Sequence, residues 1–174
     1  GRVPSDLEET DQSEFLDLPY TMFNIHIRSA DRDILKAIES AGSPLGEYFE
    51  VRDGINPANM SEKLICRSTD DLMEPFKRVL RGKDIASYQL SWDNLWVRYD
   101  PYFADNSKGE YCFLREERIF HENPKILTRQ TADRIVAAWD DIGFYALNTI
   151  HVTIPLNGEM DLKTLLALYN SKLL

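Results

Sequence analysis

Residues Pro124–His151 read PKILTRQTADRIVAAWDDIGFYALNTIH, and this stretch decides the fold class. Lys125–Gln130 alternates polar with apolar side chains. Arg134–Trp139 is short and apolar, and Asp140–Gly143 is a turn with glycine at its end. Phe144–Ile154 is then aromatic and β-branched, the composition of a strand. A run of short strands is therefore expected. Arg129, Gln130, Arg134, Asn148, Thr149 and His151 punctuate this apolar run. Periodicity does not account for them. Donors and acceptors held on rigid strands are suited to reading the polar edges of another molecule.

Working outward, Asp161 caps an amphipathic helix over Leu162–Leu173, with leucines at helical spacing. Upstream, Leu114–His121 reads as a short helix with charges of alternating sign. Tyr88–Trp92 and Leu95–Tyr99 read as strands separated by an Asp93-Asn94 turn. Leu72–Leu80 and Gly82–Asp84 form a mixed loop with a basic cluster. Tyr48–Arg52 is a short strand running into the Asp53-Gly54 turn, where Gly54 is expected to supply φ > 0 and Pro57 to stiffen the loop. Ser29 can cap a helix over Ala30–Ala41 that stops at Gly42, and Tyr20–Arg28 alternates as a strand. Residues 1–18 are acidic and aperiodic, an expected solvated linker. The fold class is α+β: a mixed or antiparallel β-sheet flanked by a few helices, one domain over residues 19–174.

The chain has 174 residues, 43% hydrophobic and 28% charged, which is ordinary for a globular domain. At this size folding buries about 70% of the unfolded surface, so neither metal nor disulfide is required. Cys66 and Cys112 lack metal-ligand spacing and read as reduced thiols. No apolar run has transmembrane length and no signal-peptide pattern is present, so a cytoplasmic location is expected. The formal charge is −9. Residues 1–20 hold Asp6, Glu8, Glu9, Asp11, Glu14 and Asp17 against Arg2 alone, a net of −5 that leaves −4 for the rest. Any polyanion bound here must meet a local basic stripe on a mixed surface.

The 124–151 stretch and four others, in order, carry a family resemblance. The others are Asp53-Gly54-Ile55-Asn56-Pro57-Ala58-Asn59, Leu80-Arg81-Gly82-Lys83-Asp84-Ile85, Leu114-Arg115-Glu116-Glu117-Arg118-Ile119 and the stretch Leu162–Leu174. Together, over residues 45–174, they resemble the TaqI-like C-terminal specificity domain. That is the target-recognition module of adenine-specific DNA methyltransferases and of fused type IIG restriction–modification enzymes. The resemblance implies a noncatalytic, cytoplasmic module that holds double-stranded DNA for a catalytic methyltransferase domain of the same polypeptide. That domain would flip out the adenine and methylate it from S-adenosylmethionine. It would also supply much of the charge that neutralises phosphates. The abrupt Gly1-Arg2-Val3-Pro4 start and the end at Leu174 fit a piece of a larger enzyme, one that cleaves DNA or does not.

The resemblance implies DNA contacts from Arg81, Gly82, Lys83, Arg129, Gln130, Arg134, Asn148 and Thr149. Arg81 and Lys83 can meet phosphates or base edges while Gly82 lets backbone approach closely; composition alone favours a solvated turn, and the resemblance reverses that preference. Asp84 orients its basic neighbours or caps the next segment. Arg129 and Gln130 are strand neighbours, so only one faces a groove; Arg pairs with guanine and Gln with adenine. Asn148 and Thr149 fit ordinary turn positions as well, and His151 fits a structural role better than a ligand. Trp92, Trp96, Trp139, Phe144 and Tyr145 default to core.

No catalytic constellation is expected. Asn56-Pro57-Ala58 and Asn123-Pro124-Lys125 both miss the Asn-Pro-Pro-aromatic signature of amino-methyl transfer. The loop after Asp53 lacks the repeated glycines of a phosphate cradle. Asp161-Leu162-Lys163 has nuclease-like spacing but sits at a helix start. No Cys/His cluster or Ser–His–Asp set is present. The rival readings are an acidic protein-interaction module docking onto partner domains and a small metal-dependent nuclease.

Overall fold

A computed structural model describes residues 29–172 apart from 157 and 159. The expected linker 1–18 and the expected strand Tyr20–Arg28 lie outside the described residues. The chain divides into two compact units, Gly1–Pro44 and Leu45–Leu174. In the first, α1 spans Ser29–Ala41, and the Gly42 N–H closes its last turn onto the Ile38 carbonyl at 3.1 Å.

The second unit is built on two four-stranded sheets. The first runs in the order β1 (Phe49–Asp53), β10 (Ile150–Pro155), β7 (Lys125–Arg129), β8 (Ala137–Asp140), antiparallel throughout. The second runs β2 (Ile65–Arg67), β6 (Leu95–Arg98), β3 (Phe76–Leu80), β9 (Tyr145–Ala146). Its β3–β9 pair is parallel and the others antiparallel. A small hairpin, β4 (Ile85–Ala86) with β5 (Gln89–Leu90), and the short helices α2 (Ser61–Leu64) and α3 (Arg118–His121) complete it before α4 (Leu162–Tyr169). The mixed α+β class expected from the sequence is the class observed.

The first sheet is buried on both faces. Leu127, Ala138, Ile150 and Val152 join Val79, Leu80 and Val97 of the second sheet in one core. Ile126, Ala137 and Phe49 meet Leu162, Leu165 and Leu166 of α4 in another. Consecutive residues Ile126 and Leu127 thus enter different cores, as alternation on a strand demands. Asp161 accepts the Lys163 and Thr164 N–H groups at 3.3 and 3.2 Å, the expected cap, although α4 ends at Tyr169.

Several expectations change once tertiary pairing is visible. Phe76–Leu80, expected as loop, is the central strand β3, because β6 and β9 hydrogen-bond both its edges. Tyr88–Trp92 and Leu95–Tyr99 are not partners: β5 pairs with β4, and β6 with β2 and β3. Arg134 precedes β8 in a bend, and of Leu114–His121 only Arg118–His121 is helical. Gly54 does not have positive φ. A Cβ there would lie 2.3 Å from the Leu147 carbonyl oxygen, so close backbone approach is what requires glycine.

Candidate nucleic-acid interface

The sheet topology gathers three loops at one end. β3 and β9 run parallel with Leu80 beside Ala146, so the segments after both leave together. β7 is antiparallel to β10, with Arg129 opposite Ile150, so β7 ends where β10 begins. Arg81–Asp84, Gln130–Arg134 and Leu147–Thr149 therefore share one rim. Thr149 joins them. Its Oγ1 accepts the Gly82 N–H at 2.9 Å and its carbonyl accepts the Gln130 N–H at 2.9 Å. The close approach at Gly82 is to this residue, since a Cβ would fall 2.8 Å from the Thr149 carbonyl oxygen. The Asn148 N–H, in turn, donates to the Ile55 carbonyl at 2.7 Å.

Arg81 is held by carboxylates. Its Nε and Nη2 donate to the buried Asp84 at 3.1 and 3.2 Å, and Nη2 also reaches Asp93 at 3.1 Å. Asp84 accepts the Arg81 backbone N–H as well, closing a capping box around the 3-10 turn Gly82–Asp84. The hydrogen bonds to Asp84 raise the Arg81 pKa above its ordinary value. Asp84 thus both orients its basic neighbour and caps the turn. Arg67 shares Asp93, and its hydrogen bond is the main reason that carboxyl titrates below its usual range.

Lys83, Arg129 and Arg134 are different. Among the described residues none of the three faces a carboxylate, whereas Arg52, Lys63, Arg67, Lys77, Arg78, Arg98, Lys108, Arg115, Arg118 and Lys125 all do. Lys83 and Gln130 are exposed beside Gly82 and Thr149. Arg129 and Arg134 line an open depression of about 380 Å³ with Asp133 and Ile85–Ser87. The Arg129 Nε is buried there without a hydrogen-bond partner among the described residues. Ser87 escaped sequence reading, because the β4–β5 connection carries no Gly or Asn to announce a hairpin.

Several other polar clusters are satisfied internally. A depression of about 470 Å³ lies between Arg52, Asp53, Arg115 and Glu116. Its arginines are already engaged: Arg52 with Glu50, Arg115 with the Gly54 carbonyl at 3.2 Å. His151 Nδ1 pairs with Asp53 across the β1–β10 ladder at 3.0 Å, a structural role. The Tyr145 hydroxyl donates to Glu117 at 2.6 Å and lies 2.9 Å from His121 Nε2. Burial, then Glu117, pushes that hydroxyl's pKa well up. Lys125 and Asp140, both fully buried, form an ion pair at 2.7 Å. Burial lowers the lysine's pKa. Cys66 and Cys112 are free thiols. Among the described residues no set of three His, Cys, Asp or Glu side chains could hold a metal, and Asp161 serves α4 as its cap. No helix among them is long and apolar enough to cross a membrane.

An α+β domain with a rim of carboxylate-free cations, on a surface where most other described cations are charge-paired, is the class these observations define. The chain belongs to the family of the TaqI-like C-terminal specificity domain, whose family model matches residues 77–174. The match begins downstream of residue 45, where the resemblance in the sequence starts. No curated protein matches the chain.

Proposed function

We propose that this chain is the DNA-reading module of a restriction–modification adenine methyltransferase, and that duplex DNA lies against the rim of Lys83, Arg129, Gln130, Arg134 and Thr149. The observation that carries the reading is the rim's unpaired cations in an acidic protein. A cation already bound to a carboxylate gains little from a phosphate; one facing only water gains through counterion release. Lys83 and Arg134 are placed as phosphate contacts. Of Gln130 and Arg129, at the end of β7, one is the base reader, using bidentate hydrogen bonds to a base edge. Thr149 and Gly82 fix the loops that present them.

S-adenosylmethionine does not fit the loop after β1. The glycine-led loop after β1 is closed by its own backbone, with the Leu147 carbonyl filling the space beside Gly54. In this reading the cofactor and the chemistry belong to a separate catalytic domain of the same polypeptide. A second reading, docking onto partner domains, draws on Tyr102, Tyr111 and Phe113, exposed between β6 and α3.

Binding of the chain to labelled duplexes, and methylation by the enzyme containing it, test the proposal on the preferred site and its single-base variants. Gln130→Ala or Arg129→Ala should cost about 1–3 kcal/mol on the preferred site and relax discrimination at one position. Unchanged affinity and discrimination in both, with folded protein, would hand the rim to the docking reading.

A further inference from the structure

We infer that Tyr88 is a DNA-contacting residue that lays its ring against a deoxyribose or base face of the duplex beside the Arg129–Arg134 depression. The inference rests on the DNA-reading proposal above. Its starting point is backbone geometry. Ser87 and Tyr88 alone connect β4 to β5, and Tyr88 has φ +65°. The second position of a two-residue connection with positive φ is one that Gly or Asn occupies at little cost; a tyrosine there is strained. Packing does not offset that strain. The side chain is 57% exposed, and among the described residues it has no aromatic or cation partner and its hydroxyl no hydrogen bond.

The backbone beneath the ring is firmly held. The Tyr88 N–H donates to the Ala137 carbonyl at 2.9 Å, on the outer edge of β8. Asn170 Nδ2 donates to the same carbonyl at 2.9 Å, and its Oδ1 accepts the Ala137 N–H at 3.1 Å. The hairpin is thus pinned to the sheet edge, and its neighbour Ser87 lines the depression that holds Arg129 and Arg134. An exposed tyrosine on a fixed backbone, one position from a residue that lines a depression with unpaired guanidinium groups, suits a sugar–phosphate strand: the cations take phosphate, and the ring takes the apolar face next to it.

The test joins thermal melts with anisotropy titrations of the chain against a short fluorescein-labelled duplex of random sequence, at several salt concentrations. Tyr88→Asn should raise the melting temperature by about 2–4 °C through relief of strain. It should weaken binding about tenfold at every salt concentration and leave the salt slope unchanged, because an aromatic contact releases no counterions. Tyr88→Gly should weaken binding likewise, and Tyr88→Phe should match wild type. Arg134→Ala should instead flatten the slope by about one. Wild-type affinity in both Tyr88→Asn and Tyr88→Gly overturns the inference while leaving the DNA face standing if Arg134→Ala still responds. Lower melting temperatures in both variants would show a packing role and also overturn it. Failure of the wild-type chain to bind duplex at all removes both readings.

Discussion

Arg81 and Lys83 stand two residues apart and are not equivalent. Arg81 is clasped by Asp84 and Asp93, while Lys83 is exposed with no carboxylate against it among the described residues. Lys83→Ala should therefore weaken duplex binding on all sequences and flatten the salt slope by about one, as binding isotherms at two salt concentrations will show. Arg81→Ala should leave the slope nearly intact and act through the loop, because it deprives the buried Asp84 of its partner. Gly82 makes a sharper case. Gly82→Ala puts a methyl 2.8 Å from the Thr149 carbonyl oxygen, with the backbone on both sides already hydrogen-bonded. Overpacking of this kind costs about 1–3 kcal/mol, which urea unfolding will register. Wild-type stability in that variant would mean the two loops are not locked together.

At the scale of elements, β7 and β8 are tied by an ion pair rather than by apolar contact alone. Lys125 and Asp140 are register partners, and Lys125 also donates to the Phe120 carbonyl at 2.8 Å. Asp140 accepts the N–H groups of Ile142, Gly143 and Phe144 besides, which builds the turn into β9. Lys125→Met leaves that carboxylate buried without its cation, and a loss of about 3–5 kcal/mol is expected in denaturant unfolding. A loss below about 1 kcal/mol would show that the turn amides alone satisfy Asp140. Helix α4 carries one pH-dependent contribution. Backbone hydrogen bonds, first that of Lys163, hold the Asp161 carboxyl below its ordinary 3.8. A depressed carboxyl pKa contributes stability that is present above the unfolded value and is lost as pH falls through the folded one. Wild type and Asp161→Ala should differ in melting temperature at neutral pH and converge below pH 3.8 as the cap protonates. A difference that persists in acid would mean the cap does not act through its charge.

Thiol chemistry and charge are properties of the whole molecule. Both cysteines are free and half-buried, and burial raises the Cys112 thiol pKa. Thiol titration of unfolded protein should count both, while the folded chain should react more slowly at Cys112. A disulfide found in either titration would contradict the geometry. The acidity of the chain is likewise a property of the whole. Most cations among the described residues are consumed in pairs, which leaves a net negative surface relieved at the rim. Affinity for duplex is accordingly expected to be modest and strongly salt-dependent.

The amino-acid sequence by itself determined the α+β class, the strand run through Pro124–His151, the helix that stops at Gly42, the cap at Asp161 and the family. Each of these is written in neighbouring residues: alternation, a capping side chain, a glycine, a spacing. It also singled out most of the rim, since Arg129, Gln130, Arg134 and the Arg81–Lys83 cluster interrupt apolar or turn sequence. What it left undecided was which cations are free, why Gly54 and Gly82 are glycines, and that Phe76–Leu80 is a central strand. Only the tertiary structure decides these, because each depends on a partner far along the chain. Gly82 meets Thr149 across 67 positions, β3 needs β6 and β9 on its two edges, and Arg81 gains its second carboxylate only once Asp93 has been brought to it. Local pattern sets what a segment can become; register between distant segments sets which side chains are already satisfied and which still face outward.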